Sequence, residues 1–458
     1  MRDVKAGIAA GYIPAFLTKN KPFDLFFTIF GKSVFYLVLP FSLFFSCSTT
    51  PLPQVGSVDV PEDFFGMVHA GATGSVEEYG LLDEMGVTWI LRTFNWDIIE
   101  NQKGIFDFSV YDEYVDTAKQ NNRKILAVLG YEALWLYPEG KSKKYISTEN
   151  IPHFLRFVEE IVRHYKGRVD VWEIWNEPNI KFWKGSAKEF YELTRLTAIK
   201  IRETDPTAYI LGGVFWRSPV GFIKGMYKAG AMENLDGLAF HPYAVNPAGA
   251  MKTHDKFLKT LTEINYSRPV WITEIGYPTG GWYPSKVSLE ELPSYVVKTI
   301  AGAAARGTRS LLWYQLFDRY NEHEVPPNTR RDSEAFFGLA YHDYQRKDGA
   351  WAYELCARFL PGSRYTPEMP QRENIPDNIV SFCFLDGTSG NNTLMLWNDR
   401  NRVQKVYLHL DALASLHDIF TGSSRPVTPG TVLEIGKQPL VITWQGAALP
   451  YLSLNGAP

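Results

Sequence analysis

Eight repeats of one pattern, a short apolar segment followed by an amphipathic helical segment, constrain the fold of this chain more than any other feature. The apolar segments lie at 64–70, 88–95, 124–131, 169–175, 209–216, 237–243, 269–275 and 310–317. The helical segments are predicted at 76–85, 110–121, 151–165, 187–204, 221–231, 252–264, 290–306 and 350–359. Alternating strands and helices favour parallel pairing, and eight units over roughly 300 residues predict a (β/α)8 TIM barrel of the α/β class.

The pattern changes after the last barrel helix. Short strands are predicted at 379–385, 393–398, 404–410, 416–420, 431–435 and 440–444, separated by Gly, Asn, Asp and Pro. This spacing is typical of a small antiparallel β-sandwich domain. We therefore expect the barrel at 63–362 and the sandwich at 363–458, with the sandwich a structural appendage rather than a carbohydrate-binding module.

The first 47 residues read as a targeting segment. Lys32 precedes an apolar run at 33–45, and a serine then precedes Cys47. A positive residue, an apolar run and a small residue before a cysteine indicate a secretory signal of the bacterial lipoprotein type, with Cys47 as the lipidated residue. The alternatives are a plain signal peptide or an uncleaved anchor, against which Asp24 counts. Residues 48–62 would be a tether or a first β-strand. We expect an exported, cell-envelope protein.

Composition excludes several classes of function. The chain of 458 residues carries 47 basic and 50 acidic side chains, and no basic block suggests a nucleic-acid partner. Its three cysteines form no CxxC or Cys/His cluster, so we expect neither a metal site nor an organic cofactor. Cys356 and Cys383 are interpreted as buried free thiols. The expected partner is a carbohydrate, with any membrane contact made only through lipid at Cys47, and the expected state is a monomer.

Two of the apolar strands end in a glutamate. The strand at 169–175 is followed by Asn176, Glu177 and a proline, and the strand at 269–275 carries Glu274 near its end. Proline cannot donate to a sheet ladder, so pairing should stop at Glu177. In a barrel the carboxyl ends of the strands form the active-site face, where strands four and seven lie across the pore from each other. Two facing carboxyl groups about 5–5.5 Å apart are what a retaining glycosidase needs.

The surroundings of the two glutamates suggest their roles. Glu177 lies in an apolar, Trp-rich context that favours a protonated carboxyl, so we predict that it is the acid/base. Glu274 must stay ionised to act as the nucleophile, and Arg92 and Tyr243 are suitable neighbours. Glu173, inside strand four, is interpreted as a buried structural carboxylate.

Further residues at the strand ends are candidates for substrate binding. Asn176 can reach the sugar 2-hydroxyl, and Trp313 is a natural floor for the sugar ring. His241 and His69 can donate to hydroxyls or orient a carboxylate. The alternatives are that Arg92 forms a barrel ion pair and that His69 is a core histidine.

Together these motifs resemble a known group of enzymes. Trp175-Asn176-Glu177-Pro178 followed by Thr273-Glu274-Ile275-Gly276 is similar to clan A of the retaining glycoside hydrolases, whose catalytic glutamates lie on strands four and seven. Arg92, His241 with Tyr243, and Trp313 extend the match over about residues 64–360. The stretch 172–179 together with a C-terminal β-domain resembles glycoside hydrolase family 39, with family 5 second. The resemblance implies that Glu177 is the acid/base and Glu274 the nucleophile.

The sequence therefore predicts a retaining β-glycoside hydrolase, an O-glycosyl hydrolase that degrades a β-linked oligo- or polysaccharide through a covalent glycosyl-enzyme. Two alternatives stay open: a surface carbohydrate-binding lipoprotein on an inactive barrel, and a transglycosylase that uses the same residues.

Overall fold

A computed structural model describes residues 56–137, 139–281, 286–321, 324–325 and 332–454. Within them eight parallel strands close into a barrel. These strands are β2 (Phe65–Val68), β3 (Trp89–Asn95), β4 (Lys124–Gly130), β5 (Val171–Ile174), β6 (Tyr209–Trp216), β7 (Gly237–His241), β8 (Val270–Ile275) and β9 (Leu311–Trp313). Each strand pairs with its neighbours in sequence, and β2 pairs with β9 to complete the ring. The predicted (β/α)8 barrel is confirmed.

Helices surround this barrel. They are α1 (Val76–Glu84), α2 (Trp96–Ile99), α3 (Ser109–Gln120), α4 (Ile151–His164), α5 (Ala187–Thr204), α6 (Val220–Lys228), α7 (Pro247–Glu263), α8 (Leu292–Ala304) and α9 (Asp348–Phe359). Capping side chains fix several helix starts. Ser186 and Glu189 form a reciprocal capping box at α5, and Asn246 caps α7 by accepting from the Gly249 N–H at 2.9 Å.

Alternation along the barrel strands separates two apolar layers. One layer fills the barrel and takes at least one residue from each of the eight strands. This barrel-interior cluster comprises Val68, Trp89, Leu91, Leu126, Val128, Val171, Leu211, Val214, Ala239, Trp271 and Leu312. The other layer, larger, lies between the strands and the helices. Successive side chains of a strand point to opposite faces, so position within a strand decides which layer a residue joins.

The C-terminal part forms two facing sheets with a separate apolar core. Its strands are β10 (Arg364–Tyr365), β11 (Gln371–Glu373), β12 (Ile379–Leu385), β13 (Asn391–Asn398), β14 (Gln404–His409), β15 (Ala414–His417), β16 (Ser424–Val427), β17 (Thr431–Ile435), β18 (Leu440–Gln445) and β19 (Tyr451–Ser453). Pairing is antiparallel except between β11 and β19. Four of these strands (β10, β11, β16 and β19) are absent from the predicted set; β16 was missed because Pro426 argues against a strand.

The larger sheet includes a strand from before the barrel. This is β1 (Val58–Asp59), which pairs antiparallel with β10. Asp59 also forms an ion pair with Arg364, with 2.6 Å between Oδ1 and Nε. Residues 48–62 were expected to be a tether or a strand, and their described end contributes this strand.

Two further expectations concern the thiols and the targeting segment. Cys356 and Cys383 are buried and unpaired, as predicted. Cys47 and the signal segment lie outside the described residues. Among the helices of the described ranges, none has the length and apolar character needed to cross a membrane.

Candidate active site

The chain leaves the sheet abruptly after β5, and this places Glu177 at the carboxyl end of the barrel. Trp175 and Glu177 have positive φ angles of 66° and 41°, which non-glycine residues seldom adopt. The Glu177 N–H donates to the Val214 carbonyl at 3.0 Å, which fixes the turn against β6. The Trp175 ring is fully buried below it. Glu177 itself is 6% exposed, so its carboxyl lies deep in the site.

A buried histidine connects the two predicted catalytic glutamates. His241, the last residue of β7, has its Nδ1 2.8 Å from Glu177 Oε1 and 3.6 Å from Glu274 Oε2. Its Nε2 lies 3.1 Å from the Thr273 hydroxyl. One carboxylate oxygen of Glu177, one of Glu274 and one imidazole nitrogen of His241 all lie within 4.8 Å of one another. The structure therefore brings both glutamates and His241 into one cluster.

The cluster balances buried negative charge with one imidazolium. Burial alone would lower the pKa of His241, but Glu274 and Glu177 outweigh it and raise that pKa to about 9. Burial raises the pKa of Glu274; His241 opposes this rise, and Glu177 and Glu334 add to it. The Tyr243 hydroxyl donates to Glu274 Oε2 at 3.3 Å. The positive neighbour of Glu274 is therefore His241.

Arg92 was the cation expected beside Glu274, and the structure places it elsewhere. Its guanidinium lies over the Tyr114 and Tyr111 rings of α3, 5.0 Å and 5.8 Å from their centroids. In β3 it alternates with residues of the barrel-interior cluster, so it faces the helices. Among the described residues it forms neither an ion pair with Glu274 nor the alternative barrel ion pair.

His69 and Asn176 lie at the strand ends, as expected from the sequence. His69 is accessible to solvent at the end of β2 and has a φ of 56°. The surrounding protein removes much of the water from the ring of His69. This desolvation, together with the positive charge of Arg92, lowers the pKa of His69 to about 4, so the ring is neutral at pH 7. The side chain of Asn176 lies beside that of Tyr131 and partly opposes the rise of its pKa. The pKa of Tyr131 is raised, mainly by burial and further by Glu274 and Glu177, which places this tyrosine beside the glutamate pair.

Trp313 is not positioned as the floor expected for the sugar ring. It is fully buried and belongs to the outer apolar layer, with its ring 6.0 Å from that of Tyr277. The following residue, Tyr314, packs instead against the barrel-interior cluster. Its hydroxyl donates to Glu334 Oε2 at 2.9 Å, and its ring is 5.6 Å from that of His69. Tyr314, directly after β9, is therefore the aromatic residue that faces the site.

Glu173 lies in the barrel beneath the cluster. It is 1% exposed, and its Oε2 has no hydrogen-bond partner among the described residues. Burial raises the pKa of Glu173 to about 8, against the opposing effects of His241 and Thr273. The sequence interpretation of a buried carboxylate agrees with this position. Glu173 lies two residues after Val171 and so shares its interior face; this position, four residues before Glu177, is the signal that directs it toward the site.

Comparisons with known proteins point to glycoside hydrolases. The model of Glycosyl hydrolase family 10 matches residues 79–190. A β-1,4-xylanase from Dictyoglomus thermophilum is 31% identical over 84 residues, which is 18% of this chain and 23% of that protein. Endo-1,4-β-xylanase C from Phanerodontia chrysosporium is 25% identical over 170 residues, 34% of this chain and 41% of that protein. The chain thus spans less than half the length of these curated relatives.

Solved structures resemble the chain over a larger share. A family 39 glycoside hydrolase from Bacteroides cellulosilyticus WH2 matches with a TM-score of 0.68 and 21% identity, over 84% of this chain and 81% of that one. A monomeric β-xylosidase from Caulobacter crescentus CB15 matches with a TM-score of 0.61 and 15% identity, over 86% and 98%. At these identities the likenesses show a shared fold, which the family 39 enzyme has over most of its length. The chain has the barrel fold of the clan A glycoside hydrolases and, in its described architecture, resembles family 39.

Proposed function

We propose that this protein is a retaining β-glycoside hydrolase that acts on β-linked, xylose-containing oligo- or polysaccharides by double displacement. One observation carries the proposal. Glu177 follows β5 and Glu274 belongs to β8, and His241 of β7 lies between them, with an oxygen of each glutamate within 4.8 Å of the other. Paired carboxyl groups at about 5–5.5 Å are the arrangement of retaining rather than inverting enzymes.

We infer a step for each group, with the roles that the sequence motifs predict. Glu274 attacks the anomeric carbon while Glu177 gives its proton to the leaving oxygen, which breaks the glycosidic bond and forms a glycosyl-enzyme. Glu177 then takes a proton from water, whose oxygen attacks the anomeric carbon and releases Glu274. His241 and the Tyr243 hydroxyl hold the attacking carboxylate and stabilise its charge.

The choice of xylose-containing substrates rests on the relatives. The curated relatives are xylanases, and the Caulobacter protein is a β-xylosidase. Their matches cover only part of those proteins or share low identity with this chain. Aryl β-xylosides and β-1,4-xylan are therefore the first substrates to test.

The test compares the wild-type protein with Glu274→Ala and Glu177→Ala. We expect the first substitution to abolish turnover and the second to slow it by about 10²–10⁴-fold. A 2,4-dinitrophenyl leaving group needs no protonation, so it should lessen the defect of Glu177→Ala. A 2-deoxy-2-fluoroxyloside should label Glu274, as read by mass spectrometry of the digest. Glu290→Ala, a change at an exposed loop residue, is the matched control. Turnover like that of the wild type in either glutamate variant contradicts the assignment.

The two alternative functions give different results in the same experiment. A carbohydrate-binding protein on an inactive barrel forms no fluorosugar adduct. A transglycosylase forms the adduct but transfers the sugar to an added acceptor in preference to water. The presence of both carboxyl groups favours catalysis, since binding alone needs neither.

The cellular location is a separate proposal that rests on residues 1–47. We propose that the protein is exported and anchored through lipid at Cys47. Metabolic labelling with a fatty acid should mark the wild-type chain and not Cys47→Ala. The monomeric state is proposed from the Caulobacter protein, which is described as monomeric, and light scattering tests it.

A further inference from the structure

The end of β6 presents an aromatic ring that no apolar core uses. Val214 belongs to the barrel-interior cluster and Phe215 to the outer layer, so alternation directs Trp216 toward the interior face, above the pore. The Trp216 side chain is half-buried, and within the described ranges it neither joins nor packs against the apolar clusters of the barrel and the sandwich. A ring in this position, at the active-site face of a barrel, is available to a ligand.

Trp216 is fixed beside the predicted acid/base. Asn179, two residues after Glu177, accepts from the Trp216 N–H and donates to the Trp216 carbonyl, both at 2.9 Å. In the barrel Trp216 pairs with His241, a register that β6 reaches through an irregularity of the kind that often redirects side chains next to active sites. Glu177 protonates the leaving oxygen in the proposed mechanism. The sugar that is released first, here called the leaving-group sugar, must therefore lie on this side of the cleft.

The next residue, Arg217, adds a positive charge to this ring. Its guanidinium carbon lies 5.5 Å from the centroid of the Trp216 ring. Its backbone N–H donates to the His241 carbonyl at 2.9 Å, and its φ of 60° is one that non-glycine residues seldom adopt. The side chain is exposed, and no carboxylate oxygen of the described residues lies within 4.0 Å of its nitrogens. The backbone is thus held in place while the charge is open to a ligand.

A second cation and ring follow Glu177. Lys181 Nζ lies 5.4 Å from the centroid of the Phe182 ring, which stacks on the ring of Tyr131 with 6.3 Å between centroids. Lys181 is exposed and forms no ion pair within 4.0 Å in the described part of the chain. Burial raises the pKa of Glu334, and Lys181 is among the groups that oppose this rise. Lys181 therefore lies near the loop after β9, at the mouth of the site.

The loops on this side of the barrel carry charge of one sign. The loops after β5, β6 and β7 contain three cations, Lys181, Lys184 and Arg217, and no Asp or Glu over residues 178–186, 217–219 and 242–246. The whole chain has 50 acidic and 47 basic side chains, so this excess is local. The catalytic cluster, by contrast, holds two carboxyl groups against one imidazolium. The loops therefore attract an anionic group that the catalytic cluster does not.

We propose that Trp216 and Arg217 form a subsite for a leaving-group sugar that carries an anionic substituent, a carboxylate or a sulfate. The ring offers a flat apolar face to the sugar, and the guanidinium offers a planar fork of N–H groups to the anion. Lys181 adds positive charge at the mouth of the site. This inference rests on the proposed glycosidase function and names its substrate class, an acidic β-linked polysaccharide in preference to a neutral one.

The experiment measures binding, so that it does not depend on turnover. The full chain with Glu274→Ala is titrated calorimetrically with three polymers. They are a β-1,4-xylan with glucuronic acid side chains, the same xylan after reduction of its carboxyl groups to alcohols, and the reduced xylan after sulfation. We expect an anionic polymer to bind about 10-fold more tightly than the reduced one, and this preference should weaken as salt is added. Preference for the first polymer identifies a carboxylate, and preference for the third alone identifies a sulfate.

Substitutions assign the preference to residues. Arg217→Gln should lower the preference for the anionic polymer about 10-fold, and Arg217→Lys, which keeps the charge without the fork, should lower it less. Lys181→Gln should have a smaller effect than Arg217→Gln, because Lys181 also interacts with Glu334. Trp216→Ala should weaken binding of the anionic and reduced polymers by similar factors, because stacking does not depend on the anion. Arg400→Gln, at an exposed position between β13 and β14, is the matched control and should leave the preference unchanged.

The preference is a ratio between two polymers, so misfolded protein does not change it. Equal affinity for anionic and reduced polymers overturns the inference, and so does a preference that Arg217→Gln leaves intact or an absence of binding to all three polymers. If the wild type nevertheless hydrolyses neutral β-xylosides, the proposed function stands without this subsite. A preference that depends on Arg217 in a protein whose wild type forms neither product nor fluorosugar adduct supports the subsite and refutes the glycosidase.

Discussion

Replacement of Glu173 by glutamine should make the protein more stable at neutral and alkaline pH. This carboxyl is buried inside the barrel, with Oε2 lacking a described partner, and burial raises its pKa from 4.5 to about 8. A raised pKa means that the folded state binds the proton more tightly than the unfolded state. The stabilising contribution of that proton is complete below about pH 4.5 and is lost as the pH rises through about 8.

The pKa shift sets the size of the expected effect. Each pH unit in this window is worth about 1.4 kcal/mol. Ionisation of Glu173 in the unfolded chain, while the folded state keeps its proton, therefore reduces the free energy of unfolding by about 3 kcal/mol between pH 4.5 and 7. A buried glutamine resembles the protonated acid and does not titrate. Where Glu173 is ionised, its charge also raises the proton affinity of His241, as the smallest of three carboxylate contributions. Glutamine lacks this effect, so this magnitude is an upper limit.

Thermal unfolding as a function of pH measures the effect. For a chain of this length about 3 kcal/mol corresponds to a change of about 4 °C in Tm. The Tm of Glu173→Gln minus that of the wild type should increase by this amount from pH 5 to 7.5, while exposed Glu290→Gln shows no trend. A difference that does not vary with pH would refute the argument that Glu173 is buried and protonated. A difference that falls with pH would mean that its carboxylate is paired.

Three further predictions follow from the site. Trp313→Phe should lower Tm by removing buried volume and should leave KM unchanged. Tyr314→Ala should instead raise KM at least 10-fold with a smaller change in Tm. Kinetics and calorimetry measure the two effects. Gly276→Ala would bring its Cβ within 1.9 Å of the Tyr314 carbonyl oxygen and should lower kcat/KM more than 100-fold; Gly221→Ala, with nothing within 4 Å, should not. Deprotonation of His241, whose pKa is about 9, removes the cation between the glutamates, so kcat/KM should fall above pH 9. The pH–rate profile of His241→Asn should lack this decrease at alkaline pH.

Much of the fold could be predicted from periodicity and caps. Helix α5 begins and ends where the sequence predicts, because Ser186 and Glu189 cap its start and a proline follows its end. Helix α7 begins at Pro247, five residues before the predicted start at 252, because Asn246 caps it and Pro247 suits its first turn. Patterns repeated eight times are hard to miss, whereas single capping signals are easily misread.

Much of the site was not predictable from residue chemistry alone. Trp313 was chosen because a tryptophan suits a sugar, and Arg92 because a cation suits a carboxylate. Alternation within the strands assigns both to the outer layer and Tyr314 to the interior. Glu334 lies in a loop without periodicity, so only the three-dimensional arrangement brings it to Tyr314. Face within a strand is thus a better guide to the site than suitability for the ligand.

The short strand β1 has a consequence for how this protein can be recombined with others. The C-terminal sheet is completed by a strand that precedes the barrel in sequence, and Val60 adds backbone hydrogen bonds to Ser363 and Gly362 at 2.7 Å and 3.0 Å. The barrel is therefore an insertion between two neighbouring strands of one sheet. A gene fusion that exchanges the barrel or the sandwich at a single junction separates β1 from β10. Domain exchange, in evolution or in the laboratory, requires two junctions or the transfer of both parts together.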